Sequence, residues 1–352
     1  MAIFQVLKRI ALGNWNLPAQ CTVALPDPQP EVSVWLAGRD VTHSHVLACA
    51  VPFTIGVCLD SDSEESEPVA LEFRERNGQR RLLGEIGIRP VNTIPVGGRQ
   101  LKLFEVRNCK NYCLPKPRLW AHYLFQEYLR LRGRTDPEVP VSRRGAHAMI
   151  VFFLCPRPVV LVSVVHGETG NLFPMNLMGP LGNGYFAFSL NSSRQAAPLV
   201  ERAGKVALSN FANEQFPVAR RLGKNHRREF VEWSKLPFET KKSAGLGLPV
   251  PYFAMRTREL EIETVRKLGS HTLFLARTVG EELWKQGPQC FMIHGIYKAW
   301  REERGARTLA CRVETRLDAW GHFSAPTGTP TQPHPQTTPN PSAQSYRQTD
   351  AE

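Results

Sequence analysis

Long hydrophobic runs are missing from this sequence. The longest apolar stretch, Ala148 to Val165, is broken by Pro156, Arg157 and Pro158. It falls short of the ~20 residues that cross a bilayer, so no transmembrane segment is expected. Residues Met1 to Leu12 carry Lys8 and Arg9 in their middle, without an apolar core ahead of a small-residue cleavage site. That is not the pattern of a secretory signal, and a soluble cytoplasmic protein is expected. Paired CxxC motifs are also missing. The eight cysteines are scattered, with Cys109 and Cys113 four apart. This excludes a disulfide framework and points to reduced thiols and no zinc site. Thr42-His-Ser-His45 offers two histidines on one strand face, two ligands without a third. No internal repeat is visible. Acidic residues are in deficit, 32 against 44 basic, for a formal charge of +12. The excess favours anionic partners such as nucleotides and phosphorylated cofactors. The basic residues form no single block, and nucleic acid is not the expected partner.

What is present divides into regions. Residues 1–132 read as a β-rich domain closed by a helix. Glu31–Leu36, Val46–Leu59, Val69–Arg74 and Leu101–Val106 are strand-like, and Asp60, Asp62, Glu64, Glu65 and Glu67 form an acidic loop. Pro117–Arg132 has helical spacing of Leu119, Tyr123, Leu124 and Tyr128. Residues 133–145 read as a linker. A second domain, 146–323, offers strands at Ala148–Leu154, Val159–His166, Asn171–Leu177, Tyr185–Leu190, Val206–Asn210, Glu259–Leu268, His271–Val279 and Gln289–Ile296. Helices are expected at Gln195–Arg202 and Arg227–Ser234. Many short strands with turn signals favour a barrel, so the fold class is mainly β. The Pro/Thr/Gln-rich residues 324–352 read as a disordered tail.

The informative stretch is 156–194. A Pro156-Arg-Pro-Val-Val-Leu-Val strand leads through a turn at Gly167–Gly170 to Asn171–Leu177. A Gly179-Pro-Leu-Gly loop follows, then a third strand, then Ser189-Leu-Asn-Ser-Ser-Arg194 before a helix. This order resembles the flavin reductase-like family of FMN-binding split barrels. Further matches are Lys205–Phe211 ending about Asn210, the Ser-Ala-Gly-Leu loop after Lys241 and Lys242, Gly269-Ser-His-Thr-Leu-Phe274, and His294-Gly-Ile-Tyr297 with Trp300-Arg301. Ser270 stands where the family has aspartate. No single piece is specific; their order is.

The resemblance implies a Greek-key split β-barrel that pairs as a homodimer, with FMN as cofactor and NAD(P)H as co-substrate. A phosphate dianion wants a helix amino end, hydroxyls and a fixed cation, which Asn191, Ser192, Ser193 and Arg194 offer. The ring wants apolar walls and backbone groups, which implicates Pro174, Met175, Asn176, Leu177, Gly179 and Ser189. Lys242 lies near the cofactor by resemblance. Gly269, Ser270 and His271 would face the nicotinamide, His271 orienting rather than acting as an acid. Arg220, Arg221, Lys224, Arg227 and Arg228 either steer an anion or form a solvated face. Glu261 and Glu263 read as one polar strand face, not a catalytic pair. The expected activity is NAD(P)H-dependent reduction of bound flavin and delivery to an acceptor. The alternatives are a non-catalytic FMN-binding or electron-transfer protein, or an interaction or nucleic-acid-binding protein that reuses the barrel.

Overall fold

The computed structural model describes residues 20–60, 69–131, 141–305 and 314–315. In chain order its elements are β1 (Gln20–Leu25), β2 (Val32–Leu36), β3 (Arg39–Asp40), β4 (His45–Cys49), β5 (Thr54–Leu59), β6 (Val69–Glu75), β7 (Leu82–Val96), β8 (Arg99–Asn111), α1 (Lys116–Leu131) and α2 (Arg143–Phe152). There follow β9 (Arg157–Pro158), β10 (Val160–His166), β11 (Thr169–Met175), β12 (Met178–Gly182), β13 (Tyr185–Asn191), α3 (Ala196–Ala203), β14 (Lys205–Asn210) and α4 (Phe216–Arg221). The last are β15 (Thr240–Lys242), β16 (Pro249–Pro251), β17 (Arg256–Leu268), β18 (His271–Leu283), β19 (Gln289–His294), α5 (Gly295–Glu302) and β20 (Glu314–Thr315). The protein is mainly β, as its composition of short apolar runs implies.

Two seven-stranded antiparallel sheets dominate. The first runs β3-β2-β6-β7-β8-β5-β4 and the second β11-β10-β14-β17-β18-β13-β12. A short sheet, β20-β1-β19-β9, ties the two halves together. The second sheet must curl. Its edges β11 and β12 are joined by only Asn176 and Leu177. From Met175 to Met178 the chain reaches at most about 11 Å. Seven strands laid flat would put those edges about 29 Å apart. The edges are therefore brought together into a split barrel, and Ser189 N–H, donating to Leu177 O at 2.9 Å, extends the β12–β13 ladder one residue beyond Met178. In the first sheet Cys58 N–H likewise donates to Ser44 O at 2.7 Å.

Side-chain alternation builds two cores from each strand near the centre. On β13 and β18, Phe186, Phe188, Leu190, Phe274 and Ala276 fill the second barrel. Phe188 and Phe274 stack at 5.0 Å. Ala187, Leu273 and Leu275 point the other way and meet Val46, Ala48, Leu101 and Leu103 of the first sheet. That second core is the seam between the lobes. The first barrel is filled by Ile55, Val57, Phe73 and Phe104, with Ile150, Val151 and Phe152 of α2.

Several expectations need correction. Ala148–Leu154 is not a strand. Ser142 caps α2 by accepting from Gly145 N–H at 3.1 Å, and an all-apolar run carries no period to tell helix from strand. Arg227–Ser234 is not a helix. Arg228 turns extended after a 3₁₀ segment, and Val231 N–H donates to Gly170 O. The apolar stretch Val46–Leu59 is two strands, β4 and β5. Strand β7 was not anticipated, because Pro90 and Pro95 interrupt it. Both prolines lie beyond the reach of β6, where that side of β7 is unpaired and a missing N–H costs nothing. An internal repeat, invisible in the residues, is present in the strand order. Residues 133–140 of the expected linker and the tail at 324–352 lie outside the described residues. The seven described cysteines are free thiols, and no described helix is long and apolar enough to cross a membrane.

Candidate functional site

After β13 the chain turns sharply into α3. Asn191 Oδ1 makes the turn by accepting from Ser193 N–H at 3.0 Å and from the Ser193 hydroxyl at 2.8 Å. Ser192 is held from the next strand: its N–H donates to Ser270 O at 3.0 Å, and its hydroxyl lies 2.9 Å from that of Thr272. Gln195, at the cap position of α3, makes no side-chain cap bond. Arg194 is buried at this turn, 5% exposed.

Two imidazoles flank Arg194. His226 sits on the 3₁₀ segment after α4 and donates from Nε2 to Pro174 O at 2.7 Å. That segment is pinned by Asn171, whose Nδ2 donates to Asn225 O and Arg228 O, while Asn225 Nδ2 donates to Leu172 O. His271 opens β18. Its Nδ1 takes the Ser270 hydroxyl at 2.8 Å and the Ala50 N–H at 3.4 Å. An amide only donates, so Nδ1 is the bare nitrogen and the ring is neutral. Burial and then the Arg194 charge push His271 down to about 4. His226 is also pushed down to about 4, by burial and by Arg194, against the opposing bond to Pro174 O. Both rings are neutral near pH 7, so neither is a proton donor to a substrate there.

Residues 47–51 of the first lobe close one side. Ser189 donates its hydroxyl to Leu47 O at 2.7 Å. Val51 N–H donates to Ser270 Oγ at 3.1 Å, and Ser270 N–H returns to Val51 O at 2.8 Å. Cys49 Sγ donates to Leu268 O at 2.7 Å. Gly269, at φ +50°, presses on the Val51 carbonyl so closely that a side chain there would collide with it. Gly179 also faces the first lobe; a Cβ would lie 2.9 Å from His45 O.

Of the residues singled out for a ring, Pro174 and Met175 are buried at the edge of β11, while Asn176 and Leu177 are half-buried in the split. Asn176 Nδ2 donates to Met292 Sδ at 3.0 Å. The structure thus brings together Asn191–Arg194, Ser270, His271 and Thr272, with His226 and Pro174. Lys242 is exposed on β15, and the loop after it closes elsewhere. Ser243 Oγ, Gly245 N–H and Leu246 N–H all donate to the Glu259 carboxylate. Glu261 and Glu263 form a polar face, both paired to Arg277. The His45 ring meets Arg157 and Val41 O.

Sequence reasoning passed over His226, Thr272 and residues 47–51. His226 lay inside a basic run read only for its cations. Leu47 lies 142 positions from Ser189, and residues 49–51 lie 219 to 221 positions from their partners, so nothing local marks them.

Residues 152–300 match the family model of the flavin reductase like domain. The match covers the second barrel, β9 to α5, and leaves the first lobe outside it. No curated protein matches the chain. Among solved structures, an FMN-binding protein from Thermus thermophilus with bound 1-cyclohex-2-enone is similar at 26% identity, over 37% of this chain and 71% of that one, with a TM-score of 0.33. An NADH:FAD oxidoreductase of Streptomyces globisporus aligns at 18% identity over 46% and 92%, TM-score 0.38. The styrene monooxygenase flavin reductase of Pseudomonas putida S12 aligns at 19% over 42% and 92%, TM-score 0.35.

Proposed function

We propose that the flavin reductase like domain of this chain binds FMN and serves a flavin-dependent oxidoreductase that takes hydride from NAD(P)H and passes it to an acceptor. The observation that carries the reading is the buried Arg194 at the uncapped amino end of α3, beside the Ser193 hydroxyl and two neutral imidazoles. A guanidinium, a hydroxyl and the Ala196 amide are donors of the kind a phosphate dianion requires, while Ala197 N–H is already given to Arg194 O and Pro198 has none. These residues fit the phosphate end of FMN. The half-buried Asn176 and Leu177 at the barrel split fit its ring, which needs apolar wall and amide edge together. FMN, when bound, supplies hydride chemistry that no side chain has.

The chain's own contribution is position and polarity. Arg194 and Ser193 hold the phosphate. His226 fixes the Pro174 carbonyl and so the edge strand beneath the ring. His271 stays neutral and presents Nε2–H as a donor.

A second reading has its own observation. Residues 49–51 are bonded to the Gly269–Ser270 turn, where the family resemblance puts nicotinamide. That contact favours a protein that holds flavin without NAD(P)H turnover.

The test is spectroscopic. The full chain should purify yellow, or turn yellow with FMN, and release FMN on denaturation. Anaerobic NADH or NADPH should then bleach the bound flavin. A bound flavin that does not bleach selects the second reading, and a folded protein without affinity for FMN sinks both.

A further inference from the structure

The two large sheets repeat one another strand for strand. Reading β2 to β8 as β10, β11, β12, β13, β14, β17 and β18 turns one strand order into the other. The bond that extends the β4–β5 and β12–β13 hairpins by one residue repeats too, Cys58 to Ser44 in the first sheet and Ser189 to Leu177 in the second.

Contacts across the seam are reciprocal. The Gly97–Gly98 turn between β7 and β8 presses on Tyr185, beside the turn between β12 and β13. The Gly269–Ser270 turn between β17 and β18 presses on Val51 and Pro52, in the turn between β4 and β5. The first residue after each turn bonds the other lobe's backbone. Arg99 Nη1 donates to Leu181 O at 2.5 Å, and His271 Nδ1 accepts from Ala50 N–H. Matching patches meeting about one axis are the mark of a two-fold pair. Here both members lie on one chain.

The members differ where the second holds its cation. The residues following β5 read Asp60-Ser-Asp-Ser-Glu-Glu-Ser-Glu67, with five carboxylates and no basic residue. The matching residues after β13 read Asn191-Ser-Ser-Arg194. Asp60, the described residue at the position matching Asn191, repels a phosphate dianion. In the first lobe Arg99, the counterpart of His271, is drawn instead to Asp60 at 3.0 Å.

We infer that the chain is an intramolecular pair of split barrels: the first lobe takes the place of a second subunit, lends residues 47–51 to the site on the second lobe, and has no phosphate site of its own. The chain is then a monomer with one flavin site, in place of the homodimer the resemblance implied. The ligand's identity rests on the flavin reading above; the pairing does not.

Two measurements on the full chain decide it. Light scattering after gel filtration, with and without FMN, should give the 39.6 kDa of a single chain at all concentrations. A stable species of twice that mass overturns the pairing. Equilibrium dialysis with FMN should saturate at one per chain. Two per chain overturns the loss of the first site. No binding at all removes the flavin reading and the single-site clause with it, while the measured mass still judges the pair.

Discussion

After β5 the first lobe carries carboxylates; after β13 the second carries Arg194. At the head of the next long hairpin the first lobe has Arg99 and the second His271. The backbone path is shared and the charges are inverted. Topology is kept by apolar alternation, which both lobes obey on β4, β5, β8 and on β12, β13, β18. Ligand preference is set by a few polar residues at strand ends, which alternation does not constrain. A barrel can therefore lose a binding site and remain an excellent packing partner.

Acid has the largest expected effect and strikes both lobes, since burial also pushes down His45 and His122 of the first. His226 and His271, both pushed down to about 4, sit on the second lobe. Unfolded, each takes its proton near 6.5. Their folded values lie lower, so stability is fully present above pH 6.5 and is lost as pH falls towards 4. Each contributes about 1.4 kcal/mol per pH unit, or about 3 kcal/mol over that window. Urea midpoints measured from pH 7 to 4 should fall steeply. His226→Gln, which keeps a donor for Pro174 O, should flatten the curve by one proton. An unchanged slope in that variant refutes the assignment.

The seam is tested next. Gly269→Val should cost about 3 kcal/mol or more, because φ is positive and the Val51 carbonyl occupies the space. Gly167→Ala, at φ +58° with open space around it, should cost only about 1 kcal/mol. Equal losses by chemical denaturation would show that the strain is local and that the lobes are not clamped there.

Much of this was legible before the fold. Strands β10, β11, β13, β14, β17, β18 and β19 and helix α3 fall where alternation and turn residues put them, whereas β12 was read as a loop because Gly179, Pro180 and Gly182 carry turn signals; Arg194 stands out as a cation beside hydroxyls ahead of a helix. The first lobe was harder for a physical reason. Strands buried on both faces lose the polar alternation that marks a strand. Val46–Leu59 therefore reads as one apolar run, and the hairpin within it cannot be seen. The repeat is hidden likewise, since the shared pattern is apolar residues that substitute freely for one another. Residues 47–51 became part of the site only through long-range pairing, which no local spacing reports.

Binding separates the lobes at a smaller scale. Arg194→Ala removes a charge-assisted partner of about 1.5–3 kcal/mol, so the FMN dissociation constant should rise roughly 10- to 100-fold. Fluorescence titration reads this directly, with circular dichroism as the check on folding. Arg99→Ala, the matching change in the first lobe, should leave FMN affinity unaltered. If both substitutions weaken FMN equally, the charge inversion does not decide where flavin binds.

Arg99→Ala should also have the smallest effect on stability. Its pair with Asp60 faces water on the carboxylate side, where Asp60 is 85% exposed. Such a pair contributes under about 1 kcal/mol. Its bond to Leu181 O crosses the seam and adds a charge-assisted term of about 1.5–3 kcal/mol if that carbonyl is left dry, and less if water replaces the guanidinium. The exposed Asp60 marks the edge of the seam as reachable by water, which places the sum near 1 kcal/mol. Raising salt weakens the exposed pair and leaves the carbonyl bond. The wild type and Arg99→Ala curves should therefore converge only partly as salt increases. Full convergence would mean that Arg99 acts through Asp60 alone and that the reciprocal contact at Leu181 adds nothing to holding the lobes together.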